Sequence, residues 1–281
     1  MDTFSTEGMK LALAIMGAFS LPQAPTSWET SGAGKQNLVY RQYSTLSGAN
    51  YHPRNQGSAS NCVGQSIAAA IDIRQVVVGK PLPARVDASF VYGTSRIDNS
   101  VNFRHGAIPH LAVRSSEDVG NILMMNYWML GIDTTLESSE RSEVWGARGP
   151  PPELRGIAAN YRISEAYQVK SYQQLRGALA NGYPVIIGSS VGFGRGDIVR
   201  DQGGHLQASR SMFGGWQHCM TVIAVDDTSS RGALVLNSWG TRWVRGPQKH
   251  GDEPLGSFWV NPTDMNRILK QGGSFAIGSL R

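Results

Sequence analysis

Apolar positions in the first half of the chain recur at helical spacing, whereas those in the second half alternate or run together as strands. In "CVGQSIAAAIDIRQVVVG", residues 62–79, Val63, Ile67, Ala70, Ile71, Val77 and Val78 fall near a 3.6-residue period. Gly79 and Pro81 close the run, so the pattern predicts a helix whose N-terminus lies at or beside Cys62. A second helix is predicted in "SSEDVGNILMMNYWMLG" (115–131), capped by Ser115 or Ser116, with Glu117 and Asp118 in its first turn. A short third one is predicted in "SYQQLRGALANG" (171–182). From Tyr183 onward the chain reads as strands: "YPVIIGSSV" (183–191), "HCMTVIAVDD" (218–227), "ALVLNSW" (233–239), "GSFWV" (256–260) and "SFAIGSL" (274–280). "DDTSSRG" (226–232) between two of them predicts a hairpin connection.

Helices first and strands later predict an α+β chain of two lobes, a helical one over about 50–165 and a β-barrel one over about 166–281. "RGPPPEL" (148–154) predicts a bend near their boundary, and no internal repeat is visible. Ahead of the body, residues 1–36 read as an apolar extension and a linker, the linker being the turn-rich "PTSWETSGAGKQ" (25–36). "MKLALAIMGAFSLPQA" (9–24) has the texture of a secretory signal, but Asp2 and Glu7 precede it and Pro22 and Pro25 flank the cleavage position poorly. The reading preferred is an uncleaved apolar helix packed on the body or on an assembly partner, with secretion left open. The stretch is too short for a transmembrane span.

Composition narrows the function classes. The 281 residues can bury a sizeable core, and 41% hydrophobic with 17% charged is a globular balance. The formal net charge of +5 comes from scattered basic residues with no Lys/Arg run, which argues against a nucleic-acid partner. Two cysteines, Cys62 and Cys219, exclude a disulfide framework and fit a reducing compartment or a virion. The six histidines show no metal-binding spacing, so no metal or other cofactor is expected.

The thiol at residue 62 carries the chemistry. A cysteine at a helix N-terminus meets unpaired backbone N–H groups and the positive end of the helix dipole, both of which favour thiolate. Alone it would read as a small core residue. Its company changes that. His218 begins one predicted strand and Asn237 ends the next, so pairing through the hairpin sets them side by side. The asparagine oxygen can then take one imidazole N–H and leave the other ring nitrogen for the thiol. Gln56 can aim an amide N–H at a developing oxyanion, with the N–H of Cys62 as second donor.

These residues sit in "NQGSASNC" (55–62) and "LNSWGTRW" (236–243), which resemble the active-site segments of papain-family cysteine proteases, usually NQGSCGSCW and KNSWGxxWG. "DASFVYGTSR" (87–96), "SSEDVGNILMMNYWMLGI" (115–132) and "VKSYQQLRGALANGYPVIIGSSV" (169–191) are similar to the stretches between, in the style of bacterial and phage members. The resemblance covers roughly residues 50–265. It implies a nucleophile Cys62, a base His218, an orienting Asn237, an oxyanion donor Gln56 and a peptide or protein substrate. It also implies that Trp239 shields the Asn–His bond at the edge of the substrate cleft.

Departures from the pattern accompany it. Ala59 stands where the family commonly has a disulfide cysteine, and Val63 replaces an aromatic residue, which would alter the cleft wall. Cys62 precedes His218 by 156 residues and Asn237 by 175, against about 130–150 in the family, which implies loop insertions. The family's Cys-Asn-Gly-Gly substrate strand is not visible. "VRSSED" (113–118) is the candidate for its place, making Ser115 and Ser116, with Trp239, the expected substrate-binding residues. Cys219 reads as buried filler, and "GFGRGD" (192–197) as a loop over the cleft that continues past His205. The expected activity is acyl-enzyme hydrolysis of peptide bonds. The alternatives are a structural component of a phage particle or other assembly, and a cysteine amidase acting on cell-wall peptides.

Overall fold

The computed structural model describes residues 21–102, 105–200, 206–210, 217–228, 231–243, 246 and 248–281. The apolar stretch 9–20 and His205 lie outside the described residues. The helices α1 (Val39–Ser47), α2 (Cys62–Val77), α3 (Ala88–Asp98), α4 (Pro109–Asp118), α5 (Ser139–Arg148) and α6 (Leu154–Ala158) precede α7 (Tyr172–Ala180) and α8 (Pro262–Leu269). The strands are β1 (Gln36–Leu38), β2 (Asn126–Tyr127), β3 (Ile132–Asp133), β4 (Ala166–Gln168), β5 (Val185–Ser189), β6 (Phe193–Arg200), β7 (Leu206–Arg210), β8 (His218–Asp226), β9 (Gly232–Leu236), β10 (Ser257–Val260) and β11 (Ser274–Ile277). No helix among the described residues is long and apolar enough to cross a membrane.

The main sheet is antiparallel in the order β10-β9-β8-β5-β11-β4, with β1 added along β8. Side chains alternate across it, as the two-residue strand period requires. Ile186, Cys219, Phe275 and Ile277 meet α2 in one core; Val185, Ile187, Met220, Val222 and Ala276 enter a second core on the other face. A third cluster of Phe90, Ile122, Trp145, Leu154 and Ala158 binds the outer helices together.

Helix α2 is the axis of this arrangement. From Val63 to Ile73 every residue is buried, so it is surrounded rather than amphipathic. Its small residues make that possible: a Cβ at Gly64 would stand 2.4 Å from the Ala88 carbonyl oxygen of α3. The predicted helix at 171–182 is α7, capped by the Ser171 hydroxyl, which accepts from the Gln174 N–H at 3.2 Å. The five predicted strands are present, and the hairpin joins β8 to β9.

The helix expected at 115–131 is displaced. Pro109 starts α4 six residues earlier, where its missing N–H is harmless. Gly120, at φ +100, then ends the run: a Cβ there would lie 2.0 Å from the Ala158 oxygen. Of the apolar residues that remain, Ile122 and Leu123 are buried in the cores, and the chain then forms the β2–β3 hairpin, whose tip exposes Trp128 and Met129. Residues 25–36, read as a linker, are docked instead. Trp28 is buried against Tyr167 and Tyr183, and the Arg176 guanidinium donates to the Ser31 and Glu29 carbonyls. "GFGRGD", read as loop, lies largely in β6, paired with β7.

One buried polar network fixes the chain just ahead of α2. Arg54, 1% exposed, donates to Asp72 at 2.7 Å and to the Val86 carbonyl at 2.7 Å. Tyr51 donates to Asp72 at 3.0 Å, and Asp72 also accepts the Val86 N–H at 2.8 Å. Burial alone would lower the Arg54 guanidinium, but Tyr51, Asp72 and Glu137 hold it above its ordinary value, firmly charged. Such a cation is stable only while its counter-charges remain. Asp72→Ala is therefore expected to cost about 3 kcal/mol of unfolding free energy, read by urea denaturation. A loss below about 1 kcal/mol, the range of an exposed pair, would show that the network is not holding this segment.

Candidate active site

The two sequence segments that drew attention meet directly. Gln56 donates its backbone N–H to the Ser238 carbonyl at 2.9 Å, and Gly240 donates to the Arg54 carbonyl at 3.0 Å. Asn55 and Trp239 form an antiparallel bridge between them. The chain before α2 is thus zipped to the chain after β9, and whatever each carries is brought to one place.

Cys62 is the first residue of α2 and is half-buried. Its sulfur lies against the N–H groups of Cys219, Val63 and Cys62 itself, which stabilise negative charge there. Burial is the larger influence and pushes the thiol above its ordinary value. The contact with Cys219 matters for position, because that peptide follows His218 at the start of β8. Thr221, further along β8, donates to the Ser66 carbonyl of α2 at 3.1 Å and locks the two elements in register.

His218 and Asn237 are side by side. The hairpin register pairs Thr221 with Leu236, which brings the start of β8 beside the residue that follows β9. Nε2 of His218 is 2.7 Å from Oδ1 of Asn237. That oxygen also accepts the Ser238 N–H at 2.8 Å, so it is the acceptor and Nε2 carries the hydrogen. Nδ1 is then the basic ring nitrogen. Burial pulls the imidazole down to about 4, against the opposing influence of the Asn237 hydrogen bond. Burial thus disfavours the charged form of both the imidazole and the thiol.

Trp239 lies over the imidazole with ring centroids 4.5 Å apart and planes 27° from parallel. It is held edge-on by Trp243 at 4.8 Å, which in turn meets Phe258 at 5.6 Å. Beneath it His218 and Asn237 are both buried. Gln56 is fixed at both ends of its amide. Oε1 accepts from the Ser238 hydroxyl at 2.8 Å, and Nε2 donates to the Ala59 carbonyl at 2.7 Å. One N–H of that amide is therefore engaged within its own turn, and the second remains to meet a ligand.

The structure thus gathers Cys62, His218, Asn237, Gln56 and Trp239. Ser115 and Ser116 are not among them. Both lie inside α4, 6% and 1% exposed, with Ser115 accepting from Asn99 and Ser116 donating to Asn121. Their hydroxyls hold the helix to its neighbours and offer no surface to a substrate. Val63 points into the core rather than lining a cleft wall. Cys219 is buried among apolar side chains, and burial pushes its thiol far above the ordinary range. Ser238 was not singled out from the sequence, although its hydroxyl sets the Gln56 amide. Its signal was its place between Asn237 and Trp239.

No family model and no curated protein matches the chain. Solved structures do. The cysteine protease xylellain from Xylella fastidiosa superposes with a TM-score of 0.62 at 16% identity, covering 94% of this chain and 91% of that one. A procathepsin B from Trypanosoma congolense gives 0.61 at 15%, covering 94% and 84%. The digestive procathepsin L 3 of Tenebrio molitor gives 0.57 at 13%, covering 98% and 82%. Built from a buried helix, α2, set against an antiparallel sheet, the chain has the α+β fold of the papain-like cysteine proteases.

Proposed function

We propose that the protein is a cysteine peptidase that cleaves peptide bonds through a Cys62–His218–Asn237 triad. The observation that carries this reading is the 2.7 Å hydrogen bond from His218 to Asn237 beneath Trp239, with the Cys62 sulfur against the next peptide of the same strand.

Each step follows from the protonation states. Nδ1 of His218 takes the thiol proton as sulfur attacks the substrate carbonyl, forming the C–S bond and an oxyanion. The imidazolium so formed is stabilised by Asn237 Oδ1, and the dry surroundings strengthen that contact. The N–H of Cys62 and the uncommitted N–H of Gln56 receive the oxyanion. As the C–N bond breaks, His218 returns its proton to the leaving amine. Water then attacks the thioester, deprotonated by the same imidazole, and the thiol is regenerated.

The direct test is mass spectrometry after treatment with a peptidyl epoxide or vinyl sulfone. The adduct is expected on Cys62, and Cys62→Ala is expected to abolish both labelling and hydrolysis. Adducts confined to Cys219, with hydrolysis surviving in Cys62→Ala, would remove the reading. The pH dependence gives a second test. Above about pH 4 the imidazole is neutral and can accept the proton; below it the ring is charged and cannot. The profile of kcat/KM is therefore expected to stay level downward from neutrality and to fall tenfold per unit only below about 4. An acid limb centred near 6 would mean that burial does not depress His218 in solution.

A further inference from the structure

The turn that carries Gln56 into Cys62 is held by a segment on the far side of it from Ser238. Neither cysteine is in a disulfide, so no covalent tie fixes this turn. Glu137 Oε2 accepts the Asn55 N–H at 2.8 Å, and its other oxygen accepts from Arg54 at 3.3 Å. Ser139, the first residue of α5, donates its hydroxyl to the Gln56 carbonyl at 3.0 Å. Glu143 accepts the Ser60 N–H at 3.2 Å, and Ser142 accepts from Asn61 at 2.7 Å. Ser142 is itself braced, donating to the Ser138 carbonyl at 3.0 Å and sharing a hydrogen bond with Ser89 at 2.9 Å. The approach is close enough to dictate sequence. Gly57 has φ +59, and a Cβ there would stand 2.2 Å from the Ser139 hydroxyl.

We propose that residues 137–143 are a positioning clamp for the oxyanion site, with Glu137, Ser139 and Glu143 acting through the turn's backbone on Gln56. The proposal rests on the peptidase reading above. The backbone of residue 56 is gripped from two sides, its N–H by Ser238 and its carbonyl by Ser139. Glu137 holds the Asn55 N–H just before it, and Glu143 holds the Ser60 N–H of the 59–60 peptide, whose carbonyl accepts the Gln56 amide. Releasing the clamp leaves Cys62 seated on α2 and His218 on β8, but lets the Gln56 amide drift from where the transition-state charge develops. A donor misplaced by about 1 Å weakens catalysis without weakening ground-state binding.

The experiment compares wild type with Glu137→Ala, Glu137→Gln, Ser139→Ala and Glu143→Ala on a peptide the wild type cleaves. Three quantities are measured: kcat with KM, affinity for a peptide aldehyde, and the rate of Cys62 alkylation by iodoacetamide. The aldehyde adds the thiol across its C=O, forming a C–S bond while the thiol proton passes through His218 to the oxygen, so its affinity reports the oxyanion site. Alkylation reports the thiol alone. Glu137→Ala and Ser139→Ala are expected to lower kcat and aldehyde affinity about ten- to a hundredfold, with KM and alkylation unchanged within about twofold. Glu137→Gln, which can still accept the Asn55 N–H, is expected to restore most of the loss. If Glu137→Ala does not fold because Arg54 loses a counter-charge, Ser139→Ala, which touches the Gln56 carbonyl alone, decides. Unchanged kcat in Ser139→Ala, or kcat and alkylation falling together, would overturn the clamp. A wild type that neither cleaves peptides nor is alkylated at Cys62 would instead overturn the peptidase reading, and the clamp's catalytic role with it.

Discussion

The site depends on a short antiparallel pairing between residues 54–56 and 238–240. Its two backbone hydrogen bonds join the chain ahead of α2 to the chain after the histidine-bearing hairpin. Nearly the whole domain lies between them in sequence. Closing so large a loop is entropically expensive, though the cost rises only logarithmically with length. It is met by the core, because α2 is buried on all sides and β8 is buried along its entire length. Once that core has formed, sulfur and imidazole need no independent positioning, and the Asn237 amide follows the hairpin that carries them. The folding interaction and the site-building interaction are the same one.

That economy has a chemical consequence. An imidazole and a thiol set where α2 packs on β8 are taken out of water, and burial favours the neutral form of each. A resting thiolate–imidazolium pair is what the helix N-terminus alone would have suggested. The dipole and the three N–H groups at the sulfur do act in that direction, but burial exceeds them. In the proposed mechanism the charge separation therefore arises during attack, where Asn237 and the Gln56 amide meet it.

Much of this was legible in the chain. The run from Val63 to Val78 was legible as a helix because its apolar and small residues run too long for a strand and Gly79 and Pro81 are strong stops. The strands from 185 onward were legible as well, and their hairpin carried His218 and Asn237 together. The misreadings share a cause. Between 109 and 134 local signals compete: Pro109 starts a helix that the acidic pair at 117–118 seemed to start, and Gly120 breaks a run whose hydrophobicity seemed to continue. Ser115 and Ser116 were drawn toward the substrate by position in a motif, whereas their burial is decided by packing that no local pattern encodes. The docking of residues 25–36 was hidden likewise, since Gly and Ser mark a turn whether or not Trp28 finds a pocket.

The clamp was the least legible element, and its chemistry explains why. It is made of serines and glutamates in "ESSERSE" (137–143), outside the stretches whose motifs pointed to chemistry. What distinguishes them is the direction of their acceptors. Glu137 and Glu143 point their carboxylates at peptide N–H groups in the turn leading into α2. Anions at that end of a helix are favourable for the fold, because they complement the same dipole that would stabilise a thiolate. The glutamates thus act on the backbone of the turn, while the charge on the Cys62 sulfur is governed by burial, the largest influence on that thiol.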